Sequence, residues 1–189
     1  LMAREGAKIF AVDQSLEAVK ETKALIISEG GKCEIFKADA TSPKEVEAMI
    51  AKCQEAFGQI DILHNNVGIV EPGSPEDITE ANWDRLIDVN VKSMYLTSKY
   101  VLPHMVRAKG GTIINVSSIA SFYSLGYAGV SYSASKGAVN ALTRNIATEY
   151  AKHKIRCNAI LPGLMDTPLI RGAVSGAYKD VDSMVAERN

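Results

Sequence analysis

Residues 33–64 read CEIFKADATSPKEVEAMIAKCQEAFGQIDILH, and this stretch decides the fold. Cys33 to Lys37 predicts a short strand. Ser42-Pro43-Lys44-Glu45 predicts a helix start: a capping box with proline at the first helical position, opening a helix that runs to Phe57. Ile60 to His64 predicts a second strand. Strand, helix and strand therefore follow one another without a long linker, and the same alternation continues on both sides. Upstream, Leu1 to Glu5 reads as a helix tail stopped by Gly6, and Lys8 to Val12 as a strand ending at Asp13. Ser15 can cap a helix to about Glu29, with Gly30-Gly31 ending it. Downstream, Thr79 starts a long helix through Trp83, Leu86, Ile87, Met94 and Leu102, and Thr112 to Val116 is a strand. From Tyr132 a helix carries Val139, Leu142, Thr143, Ile146, Ala147 and Tyr150 at helical spacing. Ile155 to Leu161 is a strand broken by Pro162-Gly163. Short apolar strands separated by helices predict an α/β domain over residues 1–189, a parallel sheet covered on both faces.

Composition narrows the function classes. The chain has 189 residues, 47% hydrophobic and 23% charged, which suits one globular domain. Lys+Arg 21 against Asp+Glu 22 leaves a net charge of -1 with no basic stripe, so nucleic acid is not an expected partner. No apolar run is long enough to span a bilayer, and no signal peptide is evident, so no membrane partner is expected. Cys33, Cys53 and Cys157 are scattered, which suits reduced thiols in the cytoplasm. His64, His104 and His153 are equally dispersed, and no metal site is expected.

In parallel α/β sheets ligands bind beyond the carboxyl ends of the strands. Asp13 there can accept hydrogen bonds from ribose hydroxyls and repel a 2′-phosphate, or it can simply cap a helix. Asp39-Ala40-Thr41 ends the second strand, where Asp39 could meet an adenine edge. In Asn65-Asn66-Val67-Gly68 the asparagines can tie down the loop backbone and Gly68 allows close approach to a ligand, though an ordinary turn explains the run nearly as well. Ser117-Ser118 ends the fourth strand, and a serine there could bond a substrate carbonyl. Tyr132 and Lys136 lie at i and i+4, so one helical face holds an ammonium beside a phenol. A nearby positive charge favours the phenolate, which would let Tyr132 exchange a proton with an alcohol near neutral pH. Spacing alone also fits an ordinary amphipathic helix.

Together these motifs resemble the classical short-chain dehydrogenase/reductase family along nearly the whole chain. Tyr132-Ser133-Ala134-Ser135-Lys136 is similar to its catalytic motif, and Asn65-Asn66-Val67-Gly68 to its Asn-Asn-Ala-Gly motif. Asn115-Val116-Ser117-Ser118 resembles its serine strand, with Ser118 in the catalytic place, and Asn90 its helix asparagine. Pro162-Gly163 and Thr167 resemble the segment that holds the nicotinamide carboxamide. The resemblance implies a Rossmann-type, doubly wound sheet in three α/β/α layers. It implies hydride transfer between NAD, rather than NADP because of Asp13, and a small-molecule alcohol or ketone. Tyr132 would be the general acid/base and Ser118 its partner on the substrate oxygen. Lys136 would lower the tyrosine pKa and hold the ribose, and Asn90 would hold a relay water. Asp13, Asp39, Ala40, Asn66, Val67, Gly68, Tyr132, Lys136, Pro162, Gly163 and Thr167 would line the cofactor.

One part of the family pattern is not in these residues. No Thr-Gly-x-x-x-Gly-x-Gly turn occurs, and Leu1 to Asp13 resembles the stretch just after it. The strand before that turn would lie between those ending at Asp13 and His64, so two unpaired edges inside the sheet are expected, and the family's last strand is also missing. The resemblance then implies a piece of a longer enzyme, itself binding NAD poorly. A non-catalytic NAD-sensing or interaction protein is the alternative, and a related epimerase or dehydratase a further one. Phe122, Tyr123 and Tyr127 could line a substrate pocket or form a surface aromatic stretch, while Leu164, Met165, Leu169 and Ile170 suggest only an apolar lining. The two long helices commonly form dimer and tetramer interfaces in this family. Gly137, Ala138 and Ala141 would permit close approach, which implies a homodimer or homotetramer, although core packing explains them too.

Overall fold

A computed structural model describes residues 1–124, 129–165, 167 and 183. Strands and helices alternate as β1 (Ile9–Asp13), α1 (Leu16–Ser28), β2 (Cys33–Lys37), α2 (Pro43–Phe57), β3 (Ile62–Asn65), α3 (Glu80–Ile87), α4 (Ser93–Ala108), β4 (Gly111–Val116), α5 (Val130–Tyr150) and β5 (Ile155–Ile160). Among the described residues all strand pairs are parallel, as helical crossovers require. The result is a Rossmann-like α/β fold.

Local signals set most boundaries. Ser15 caps α1 by accepting from the Ala18 N–H at 3.3 Å, and Gly58 ends α2 in the left-handed conformation at φ 77°. The capping box at Ser42 forms only in part. Ser42 Oγ accepts from the Glu45 N–H at 3.5 Å, but its own N–H donates to the Asp39 carbonyl at 3.1 Å. Glu45, left without that partner, accepts from the Asp39 N–H at 2.9 Å and so braces the end of β2.

The long helix from Thr79 is not uniform. Between α3 and α4 the residues Asp88–Lys92 form a π-helical turn, with the Ser93 N–H bonded to the Asp88 carbonyl. Such insertions cluster at functional sites, and this one carries Asn90. The α4 helix then packs on β4 through Met105 and Ile113, both fully buried. A Cβ at Gly111 would stand 2.5 Å from Met105 Sδ, so glycine there permits the close seating. Each such buried apolar side chain contributes roughly 1.5–3 kcal/mol.

The strands fall into two sheets, β1-β2 and β3-β4-β5. Among the described residues β1 pairs with β2 alone and β3 with β4 and nothing else, so the inner edges expected from the sequence are unpaired. One apolar cluster still joins the sheets: Phe10, Val12 and Phe36 pack against the core that includes Val46, Met105 and Ile113. A buried polar chain crosses the larger sheet. Thr97 Oγ1 donates to Asn65 Oδ1 at 2.8 Å, Asn65 Nδ2 to Asn115 Oδ1 at 2.9 Å, and Asn115 Nδ2 to Thr143 Oγ1 at 2.9 Å. This corrects the expectation for Asn65. Its side chain binds two other side chains rather than loop backbone, because it points into the interior where those groups are its available partners.

Candidate active site

The α5 helix begins two residues before Tyr132, where Gly129 bridges to Gly73 and the Val130 N–H donates to the Gly73 carbonyl at 3.3 Å. Tyr132 and Lys136 sit one turn apart, with Lys136 Nζ 5.6 Å from the phenol ring centre. Two bonds of opposite direction stitch this turn to the end of β4. Lys136 Nζ donates to the Val116 carbonyl at 2.8 Å, and Ser117 Oγ donates to the Lys136 carbonyl at 3.1 Å. The Ser117 hydroxyl is thus spent on the α5 backbone.

Ser118 is buried and extended, and its side chain lies close enough to Tyr132 to pull the phenol pKa down. The serine is held from behind. Its Oγ accepts from the Ala120 N–H at 3.1 Å, and its carbonyl accepts from Ser121 Oγ at 2.6 Å. Asn140 Nδ2 in turn donates to Ser121 Oγ at 2.8 Å. Asn140 was not singled out from the sequence, although its place one turn beyond Lys136 on the Tyr132 face was a usable signal.

Asn90 is fully buried in the π turn, and its amide clamps the Ile69 backbone in both directions. Oδ1 accepts from the Ile69 N–H at 2.8 Å, and Nδ2 donates to the Ile69 carbonyl at 2.9 Å. Nδ2 also donates to Ser135 Oγ at 3.1 Å, and Ser135 Oγ donates to the Tyr132 carbonyl at 2.7 Å. Asn90, the loop after β3 and the start of α5 therefore form one connected unit.

The electrostatics differ from the expectation for the pair. Burial pushes the Tyr132 phenol above its ordinary pKa, and only the Ser118 side chain opposes it. Burial pushes Lys136 down to about 8. Lys136 is not among the groups that move the phenol, and its ammonium is directed at the Val116 carbonyl.

The expected cofactor positions lie at the carboxyl ends of the strands. Asp13 is exposed after β1, with Oδ1 accepting from the Ser15 N–H at 2.8 Å, so it also braces a turn. Asp39, exposed, accepts from Thr41 N–H and Oγ1, each at 2.8 Å, and Ala40 is half-buried beside it. Asn66 and Val67 are exposed after β3, and Gly68 is half-buried. A Cβ on Gly68 would lie 3.5 Å from both Asn90 Oδ1 and Lys136 Nζ, so the glycine leaves room beside the lysine. The Pro162 carbonyl accepts from the Ile119 N–H at 3.1 Å, Gly163 is exposed and Thr167 half-buried. A carboxylate acceptor on the smaller sheet and an ammonium donor on the larger are groups that fit the two ribose ends of a dinucleotide. Asp166, Leu169, Ile170 and Tyr127 lie outside the described residues.

A cavity of about 420 Å³ opens beside Tyr132, lined by Phe122, Tyr123, Val130 and Ser133 among others. Phe122 and Tyr123 border this cavity and are at the same time largely exposed, so both readings open from the sequence stay open. Among the described residues nothing lies within 4 Å of a Cβ placed on Gly137.

A model described as short chain dehydrogenase matches residues 1–176. The chain is 36% identical over 182 residues to a 7alpha-hydroxysteroid dehydrogenase of Clostridium sardiniense, covering 95% of this chain and 69% of that protein. A short-chain dehydrogenase/reductase structure from Burkholderia xenovorans superposes with TM-score 0.93 at 35% identity, over 99% of this chain and 71% of that one. A gluconate 5-dehydrogenase from Burkholderia cenocepacia, in complex with NADP and tartrate, gives TM-score 0.86 at 30% identity, over 93% and 69%. The chain thus spans about two thirds of the length of the relatives it matches. With a family model matching residues 1–176 and a relative 36% identical over 182 residues, this chain belongs to the short-chain dehydrogenase family.

Proposed function

We propose that the protein carrying this chain moves a hydride reversibly between NAD and a secondary alcohol or ketone. The observation that carries this reading is Tyr132 lining a cavity one turn from Lys136, with Ser118 close enough to pull the phenol pKa down. The hydride chemistry is the nicotinamide's when it is bound. Tyr132 gives its hydroxyl proton to a carbonyl oxygen, or takes one from an alcohol. Ser118 Oγ donates to the same oxygen and stabilises its developing charge. Lys136 keeps one N–H on Val116 and turns the others toward ribose hydroxyls. The Asn90 side chain is committed to Ile69 and Ser135, so a relay water would be held by its main chain. Asp13 favours NAD over NADP, since a 2′-phosphate beside a carboxylate is repelled. The hydroxysteroid relative, whose name specifies a secondary alcohol class, supports the substrate type.

Further parts of the reading are coarser. No described helix is long and apolar enough to cross a membrane, and the three free thiols suit the cytoplasm. Open space at Gly137 and the 48% exposed Tyr95 support a second copy packing on α4 and α5. The central test is turnover by the longer protein, followed at the reduced-nicotinamide absorbance band, with Tyr132→Phe as the control. A Tyr132→Phe enzyme that turns over normally overturns the assignment.

A further inference from the structure

We propose that Gly73 is a positioning residue for the reaction: its carbonyl ties the first turn of α5 to the loop after β3 and so fixes where Tyr132 stands. The inference rests on the hydride-transfer reading of Tyr132 and adds a residue that acts through it. A helix opens with N–H groups that its own ladder cannot satisfy, and a polar side chain at the cap ordinarily takes one of them. The 21-residue α5 opens on Gly129, which has no such side chain, and no side chain caps it among the described residues. The Gly73 carbonyl takes that place from another part of the chain. It accepts from the Val130 N–H at 3.3 Å, and Gly73 pairs with Gly129 as an isolated parallel bridge.

Tyr132 stands two residues beyond this tie, in the turn where the helix holds itself least. The bond from the Ser133 N–H to the Gly129 carbonyl, at 3.0 Å, opens the helical ladder. Behind Tyr132, its carbonyl is held by Ser135 and, through it, by Asn90. Ahead of it stands the Gly73 tie, so the backbone that carries the phenol is held from both sides. Gly73 is itself fixed between two points. Upstream, Asn90 clamps Ile69. Downstream, the Ser74 N–H donates to Asp77 Oδ2 at 3.3 Å and the Ile78 N–H to the Ser74 carbonyl at 3.1 Å, which closes a turn. Gly73 has φ 156°, and a Cβ there would lie 3.4 Å from the Ile78 Cβ, so any other residue disturbs the carbonyl. Lys136 is stitched separately, to the Val116 carbonyl and by Ser117. Loss of the Gly73 tie should then move Tyr132 and spare the lysine.

The test uses the full-length protein with NAD and a panel of secondary alcohols that includes 2-butanol and cyclohexanol. Val130 is the first residue of α5, where proline fits a helix, so Val130→Pro deletes the N–H and keeps the helix. Val130→Ala keeps the N–H and reports what loss of the side chain costs. The proline variant is expected to fall about tenfold below the alanine variant in kcat, well inside the roughly 10²-fold that a misplaced group can cost, with the NAD Kd of the two within about twofold. Gly73→Ala, which disturbs the acceptor instead, should lower kcat by a similar factor, and Gly73→Ala with Val130→Pro should cost little more than either alone. Hydrogen exchange at the Val130 amide, read by mass spectrometry, should be at least about tenfold faster in Gly73→Ala than in wild type. Equal kcat in the proline and alanine variants, a fall matched by lost NAD affinity, or Val130 exchange unchanged in Gly73→Ala overturns the proposal. In a protein that oxidises no alcohol of the panel, faster Val130 exchange in Gly73→Ala sustains the tie while sinking the hydride-transfer reading.

Discussion

Asn140 donates to the Ser121 hydroxyl at 2.8 Å, and Ser121 passes the constraint to the Ser118 carbonyl at 2.6 Å. A helix residue two turns from Tyr132 thereby positions the serine that pulls the Tyr132 pKa down. Asn140→Leu is expected to lower kcat about tenfold with little change in KM for the dinucleotide. Because Ser118 lowers the Tyr132 pKa, the limb of the pH–rate profile for alcohol oxidation should also move upward. The isosteric Asn140→Asp should act alike, since it removes the donor. In a Ser121→Ala background Asn140→Leu should add nothing further; full additivity in that cycle would exclude the positioning role.

Tyr132→Phe should cut turnover by roughly 10²–10⁴, the usual worth of a general acid/base, while leaving NAD affinity unchanged. Ser118→Ala should cost roughly 10²–10³ for loss of one donor on the reacting oxygen. Calorimetric NAD titration beside rate measurement separates chemistry from binding. A fall in NAD affinity without a fall in kcat would contradict both roles.

Lys136 predicts a specific pH dependence of stability. Its pKa is lowered by burial from 10.5 to about 8, so below pH 8 the folded protein holds a charge it would rather lose. Between about 8 and 10.5 the unfolded chain binds more protons at this site than the folded one, and stability rises with pH. The gain across that window is roughly 3 kcal/mol. Denaturant unfolding of wild type and Lys136→Met at pH 7 and pH 10.5 isolates this residue from other titrating groups. The wild type should gain relative to the variant at high pH; a constant difference would count against the buried, depressed lysine.

Asn115→Leu should destabilise the fold strongly. Asn115 is fully buried and links Asn65 on β3 to Thr143 on α5, so its loss strands polar groups at roughly 1–3 kcal/mol each. A chemical-denaturation midpoint within error of wild type would show that the chain Thr97-Asn65-Asn115-Thr143 is dispensable.

Sequence alone determined the elements whose signals are local. Ser15, Ser42-Pro43 and Gly30-Gly31 mark helix ends within a few residues of backbone, and α2 and β2 fall where these signals place them. Helix periodicity placed Tyr132 and Lys136 on one face, while Ser118 and Asn90 were joined to them only through the resemblance to the family. The tertiary structure decided the rest. The π turn at Asn90 depends on contacts with Ile69 and Ser135, 21 and 45 residues away, which no local pattern encodes. The direction of the Tyr132 pKa depends on burial, and burial is a property of everything that packs around the phenol. Spacing puts Asn140 on the Tyr132 face, but its partner Ser121 became visible only once α5 lay against the Ser118 turn. Spacing places charges and donors on a face, but which partner each one meets, and how much water it loses, is set by the neighbours that folding brings to it.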